Sequence, residues 1–210
     1  MSLGKRLIET AGQPAIANFN IVTYTGTGSS QAITGVGFQP DKVVIKRRNA
    51  ADDWAVFDSN RGANVLSWNN DSAQSSFTFS FDTDGFTVPS TSGMTNGSGS
   101  SYVAYCWRAN GGSTSSNNDG DITSTVQANT NLGFSIATVT NNTNANQAFG
   151  HGLGSTPEVM IRKKYSASLN WTNYFTVLDG SLDYMNFNTT GAKDNSGYTA
   201  PDSTTFIAPP

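Results

Sequence analysis

One string constrains this chain more than any other, because it occurs twice. "GFQPDKVVIKRR" (37–48) returns as "GSTPEVMIRKK" (154–164), with Pro40 and Pro157 standing 117 positions apart. Each copy begins with small residues, fixes φ with proline, adds an acid (Asp41, Glu158), runs through β-branched and apolar residues and ends in cations. The likeness extends in order on both sides. "FNIVTYT" (19–25) matches "FSIATVT" (134–140), "GVGF" (35–38) matches "GHGL" (150–153), and "WAVFD" (54–58) matches "WTNYFTVLD" (171–179) with an insertion. "LSWN" (66–69) matches "MNFN" (185–188), "DGFTVP" (84–89) matches "SGYTAP" (196–201), and "SYVA" (101–104) matches "TFIA" (205–208). An internal repeat of this length means one supersecondary unit used twice.

Within the blocks apolar residues alternate, as in Phe19, Ile21 and Thr23 or Phe77, Phe79 and Phe81, the period of half-buried strands. Clusters of Asn, Gly, Ser and Asp at 26–30, 69–76, 90–100 and 141–147 punctuate the runs as turns. With 21 glycines and only 13% charged residues, the chain favours strands over helices, and 11% aromatics supply a core that a disordered chain would lack. The fold class expected is all-β: two tandem antiparallel β-sandwich modules, jelly-roll-like, with a short N-terminal arm. The boundaries are 1–18 for the arm, 19–110 for module 1, 111–133 for a polar linker with one short strand at "DITSTV" (121–126), and 134–210 for module 2. The second copy reaches "FIAPP" where the first continues through "YCWRAN". Either its last strand is short, or a strand from elsewhere completes the sheet.

Charge and composition exclude several classes. A net charge of −3 provides no positive field for a nucleic-acid backbone, so nucleic acid is not an expected partner. No apolar run approaches the ~18–20 residues that span a bilayer, so no membrane insertion is expected, and "MSLGKRLIETAG" has cations without the apolar core of a secretion signal. The single cysteine, Cys106, lies in the strand-like run "YVAYCW" and reads as a buried thiol.

Catalytic constellations are scarce. The one histidine, His151, occupies a turn position that the sister copy fills with Val36, so it reads as structural. "GHGLG" is followed by no helix that could cradle a phosphate. Glutamates are limited to Glu9 and Glu158, and Asp58 and Asp179 read as turn residues in equivalent places. "DTDG" (82–85) opens like a calcium loop but lacks the closing glutamate and reads as an Asp-Gly hairpin. No enzyme activity, metal or cofactor is expected. For binding, Trp54, Trp68, Trp107 and Trp171 are either stacking platforms for sugar rings or core residues, a choice that exposure decides, and Trp54 and Trp171 are the contact residues expected. The clusters Lys46-Arg47-Arg48 and Arg162-Lys163-Lys164 recur at one place in both copies and suit a partner's carboxylates or phosphates. In "SLGKRLIETA" (2–11), Leu3, Lys5, Arg6, Leu7 and Ile8 are spaced as an anchoring arm would use them.

Taken in series, "FNIVTYTGTG", "GVGFQPDKVVIK", "VFDSNRGA", "FDTDGFTV", "SYVAYCWRANGG" and "DGDITSTVQANTNLGFSI" resemble a repeated β module of structural virion proteins of tailed bacteriophages, especially marine and cyanobacterial phages. The resemblance covers both copies. It implies a tail-fibre or appendage segment, or an adaptor, in the virion, assembled in the host cytoplasm, with a capsid head-decoration protein or a carbohydrate-binding module for host polysaccharide as alternatives. The implied partners are other virion proteins of capsid, neck or tail, further copies of the chain (a trimer among the forms this allows) and a host-surface glycan. "VLDGSLDY" (177–184) lacks the cation of "DSNRGA", a departure that separates the two copies in any shared ligand.

Overall fold

The computed structural model describes residues 18–90, 92–178 and 182–210, and among these residues every regular element is a strand. The anchoring-arm residues Leu3, Lys5, Arg6, Leu7 and Ile8, and Asp179, lie outside the described residues. Among the described residues no helix is long and apolar enough to cross a membrane.

The first copy holds β1 (Phe19–Thr25), β2 (Gln31–Ile33), β3 (Lys42–Arg47), β4 (Ala55–Asp58), β5 (Gly62–Ser67), β6 (Ser75–Ser76), β7 (Ser80–Asp82), β8 (Gly85–Val88) and β9 (Ser101–Trp107). They form an antiparallel six-stranded sheet in the order β1-β9-β3-β4-β5-β6 and a three-stranded sheet β2-β8-β7. Alternation decides what each strand contributes. β9 buries Tyr102, Ala104 and Cys106 and turns Val103, Tyr105 and Trp107 to the other face. The inward side chains of both sheets, among them Val43, Ile45, Phe57, Phe79, Phe86 and Tyr102, meet in one cluster, so the two sheets face each other across a shared core. Phe57 and Phe79 stack at 3.9 Å and 5° across it.

The centre of β3 departs from alternation: Val43, Val44 and Ile45 are all fully buried. A strand reads as a continuous apolar run when both of its faces are covered. Here the outer face, through Val44, Val56 and Leu66, is covered by Trp171 and Tyr165 of the second copy.

The second copy repeats part of this plan at smaller size. β14 (Val159–Arg162), β15 (Thr172–Phe175), β16 (Asp183–Asn186) and β17 (Asp194–Asn195) form a sheet in chain order, and β13 (Gln147–Gly150) pairs with β18 (Thr205–Ala208). Tyr174, Leu182 and Phe206 form its core with Phe149, Met160, Tyr184 and Tyr198. The repeat is visible in the hydrogen bonds. Trp68 N donates to Trp54 O at 3.1 Å and Phe187 N to Trp171 O at 3.1 Å. Asn69 Oδ1 accepts from Trp54 N at 2.9 Å, and Asn188 Oδ1 accepts from Trp171 N at 3.0 Å. In the matched turns "GVGF" and "GHGL", Gly37 and Gly152 share a positive φ (86° and 75°), which explains the glycine kept at that place.

Strand pairing corrects several equivalences suggested by string matching. Lys42 pairs with Asp58 as Val159 pairs with Phe175, so "WAVFD" corresponds to "WTNYF" without a gap and the insertion falls in the following turn. Asp58 therefore matches Phe175 and not Asp179. Gln31 pairs with Val88 as Gln147 pairs with Ala208, so "TFIA" is the counterpart of β8, not of β9. Tyr198 packs on Tyr174 as Phe79 packs on Phe57, which removes "SGYTAP" from the β8 position. A short aromatic-apolar string fits several strands, and only its ladder partner decides between them.

Residues 111–133, expected as a linker with a strand at 121–126, contain β10 (Ser115–Asn117) and β11 (Ser124–Asn129), which build a sheet β10-β11-β12 with β12 (Phe134–Val139). This sheet is tied to the first copy by Asn60 Nδ2, which donates to Thr125 O and Ile136 O, and by buried Gln127, whose Nε2 donates to Ser59 Oγ at 2.7 Å. These tertiary bonds order a stretch whose polar composition suggests none.

Candidate functional site

Because Tyr105 and Trp107 alternate with buried Ala104 and Cys106, β9 presents two large rings on the outer face of the six-stranded sheet. Pairing brings neighbours alongside. Phe19 of β1 lies opposite Trp107, and Trp54 leads into β4 two strands away. The rings form a row: Phe19 to Trp107 at 5.1 Å and 44°, Trp107 to Tyr105 at 6.3 Å and 25°, Tyr105 to Trp54 at 6.3 Å and 30°. All four are half-buried, with part of each ring open to solvent. Lys46 Nζ lies 6.0 Å from the Trp54 centroid, adding a cation at that end.

A second aromatic group adjoins it at the junction of the copies. Trp54, Trp68, Asn69 and Phe187 line a shallow cleft, with Trp68 and Phe187 edge to face at 5.5 Å and 79°. Lys42 Nζ sits 5.1 Å from the Trp68 centroid, and burial pushes its ammonium down to about 8, against Asp58, which favours the charge, and with Arg61, which opposes it.

The structure separates the residues that the repeat grouped together. Trp54 is half-open and belongs to the row, whereas Trp171 is 4% exposed, with its indole N–H donated to Ser67 O at 2.7 Å. Trp171 is a clasp between the copies and offers no ring face to an outside partner. The basic clusters divide likewise. Lys46 donates to Asp52 O, Arg47 pairs with Asp52 at 2.9 Å, and Arg48 is exposed. Arg162 lies 5.6 Å over Tyr174, and Lys164 is exposed. Lys163 Nζ donates to the carbonyls of Asp71, Lys164, Ala167 and Leu169, so it fastens a loop of the second copy to the first. Burial holds its ammonium below the usual lysine range.

The sequence points to Trp107 as one of four candidate stacking rings, though not as an expected contact residue, and it does not single out Phe19 or Tyr105. A signal was present in the alternation of "YVAYCW", which puts Tyr105 and Trp107 on the face opposite Cys106.

The remaining chemical candidates are engaged locally. His151 is buried, with Nδ1 accepting from Leu153 N at 3.2 Å and Nε2 lying 3.3 Å from Asp202 O, and its amide meets Thr204 O as that of Val36 meets Asp84 O. Asp82 accepts from Ser80 and Thr87 hydroxyls, and Asp84 accepts the amides of Gly35 and Gly37 at 3.0 and 2.6 Å, which holds its carboxyl below the usual range. No group of three His, Cys, Asp or Glu side chains suited to a metal occurs among the described residues.

No curated protein and no solved structure matches this chain. One family model does, across residues 15–208, a span that holds both copies, the sheet between them and the aromatic row. The chain belongs to the family described as a domain of unknown function (DUF7483).

Proposed function

We propose that this chain is a non-enzymatic bacteriophage virion protein, a tail-fibre or appendage segment or adaptor, built of two tandem sandwich modules, whose first module contacts host-surface glycan. The observation that carries the binding half of this reading is the row Trp107–Tyr105–Trp54, with adjacent rings inclined by only 25° and 30°. Rings of similar orientation along a rigid sheet suit the apolar faces of successive sugars, and Lys46 at one end suits an acidic substituent. Each ring contact is worth about 0.5–1.5 kcal/mol, so a single chain binds weakly and many copies on a particle convert weak contacts into attachment. The virion half rests on the resemblance of the repeated strings and is supported by an all-β fold with polar, turn-rich loops.

The test has two arms. Affinity electrophoresis of the full chain in host capsular or lipopolysaccharide glycan should show retardation that falls by about tenfold in Trp107→Ala, the loss of one ring contact of about 1.4 kcal/mol. Mobility unaffected by polysaccharide, or equal retardation of wild type and variant, overturns the glycan reading. Mass spectrometry and immunogold labelling of purified particles should find the chain at a tail or neck. Many copies over the shell point instead to head decoration, and absence from particles overturns the virion reading.

A further inference from the structure

The two copies differ most along one strand edge. In the first, β3 is covered on its far side by antiparallel β9, with Lys42 opposite Trp107 and Ile45 opposite Ala104. In the second, the counterpart β14 pairs with β15 only, and no described strand lies along its other edge. Val159 and Ile161 there are 50% and 41% exposed. An open edge bearing apolar side chains is a template for another strand.

The backbone directions define which strand fits. Thr176 N donates to Glu158 O, and Val159 lies opposite Phe175, so Glu158, Met160 and Arg162 direct their amides and carbonyls toward β15. Val159 and Ile161 direct theirs outward. An antiparallel partner must therefore bond at those two positions.

The string "EVMIR" (158–162) meets this requirement with itself. Two copies run antiparallel about Met160 place Val159 opposite Ile161 of the partner at both hydrogen-bonded positions. The same register places Glu158 opposite Arg162 of the partner, at the closer, non-hydrogen-bonded spacing where opposite charges attract. Shifting the register loses either the backbone bonds or the charge match.

We infer that β14 pairs with β14 of a second copy of this chain about a two-fold axis, joining two four-stranded sheets into one and standing where the first copy has β9, a place that no described strand of the second copy fills. The contact is isologous, so it closes at two chains. It goes beyond the glycan and virion readings and holds or fails independently of them.

The experiment is sedimentation equilibrium of the full chain with a charge exchange. Wild type should dimerise with concentration. Glu158→Arg sets two cations against each other at both ends of the pairing, and Arg162→Glu sets two carboxylates there, so each variant alone should lose at least about tenfold in association. In an equimolar mixture of the two variants each end of the heterodimer again sets a cation against a carboxylate, so the mixture should recover association. The double exchange Glu158→Arg with Arg162→Glu restores an opposite-charge pair at both ends and should recover the dimer. Circular dichroism and thermal melts of the dilute variants confirm folding. Monomer at ~1 mM wild type, where even a 1 mM Kd would half-form the dimer, overturns the inference. So does a dimer that both single variants retain, or one that depends instead on residues 1–17.

Discussion

The indole N–H of Trp171, in the second copy, donates to the main-chain carbonyl of Ser67, in the first, at 2.7 Å. The ring behind that bond packs on Val44, Val56 and Leu66, so one side chain covers the outer face of the first copy's main sheet. Trp171→Ala removes a buried ring and should cost about 3–5 kcal/mol. It should also split a single urea transition into two as the copies lose their shared surface. Trp171→Phe keeps most of the packing and should cost about 1–3 kcal/mol, the penalty of an unmet buried carbonyl. Two transitions already present in wild type would show that the clasp does not couple the copies.

Asp41 and Glu158 hold the same place in the repeat and should behave oppositely. Asp41 is fully buried. It accepts the amides of Ala109, Asn110, Gly111 and Gly112 at 2.6–2.8 Å and the Ser59 hydroxyl at 3.0 Å. Asparagine supplies one acceptor oxygen and turns its NH2 against donors, so Asp41→Asn should cost about 2–4 kcal/mol. Glu158 is exposed, and Glu158→Gln in dilute protein should stay within about 0.5 kcal/mol. Guanidinium midpoints of the two variants check the contrast, and equal losses would contradict it.

That contrast also explains how much was legible beforehand. Proline, acid and a β-branched run demand an edge-to-centre strand in both copies, and β3 and β14 lie where the strings put them. The partners of Asp41 sit 68–71 positions downstream, after a β9 strand with no counterpart among the described residues of the second copy, so the acid's burial was not written in its own neighbourhood. Trp54 and Trp171 share a motif and a hydrogen-bond pattern yet differ in exposure, because the copies meet on the second ring and leave part of the first open. Alternation could identify which residues share a face, as it does for Tyr105 and Trp107. It could not say which face another part of the chain would cover. The end of the second copy misled for a related reason: "TFIA" suits β8 and β9 equally in composition, and only its ladder to Gln147–Gly150 separates them.

Lys42 makes stability depend on alkaline pH with a defined sign. The unfolded side chain titrates near 10.5, while burial pushes the folded group down to about 8. Between those values the unfolded chain holds a proton that the folded chain has released, so this group's penalty is full below about pH 8 and fades as pH rises to about 10.5. Tyr24, raised by burial and by Tyr102 and Cys106, and the Cys106 thiol, raised by burial to about 12, act in the opposite direction, losing protons first in the unfolded chain. Comparison with Lys42→Met cancels their effect. The variant should melt roughly 3–6 °C above wild type at pH 7, and that lead should shrink steadily toward pH 10. A lead that is constant with pH would place the lysine charge in solvent.

Cys106 offers a probe of how the first copy opens. Its side chain is fully buried between the two sheets, and burial raises its thiol to about 12, so both access and thiolate are denied in the folded protein. Alkylation by iodoacetamide at pH 8 should therefore run at least ~10³-fold slower than in urea-unfolded chain. Because β9 lies between β1 and β3, no fraying of a terminus frees the thiol, and modification should follow the global unfolding equilibrium. Asp41→Asn loosens the loop that follows β9 and should raise the labelling rate about 30- to 800-fold, matching its expected loss of about 2–4 kcal/mol. Labelling that outruns the denaturant-derived stability by more than about tenfold would mean that β9 opens locally, and that the aromatic row is carried on a strand less firmly held than its burial implies.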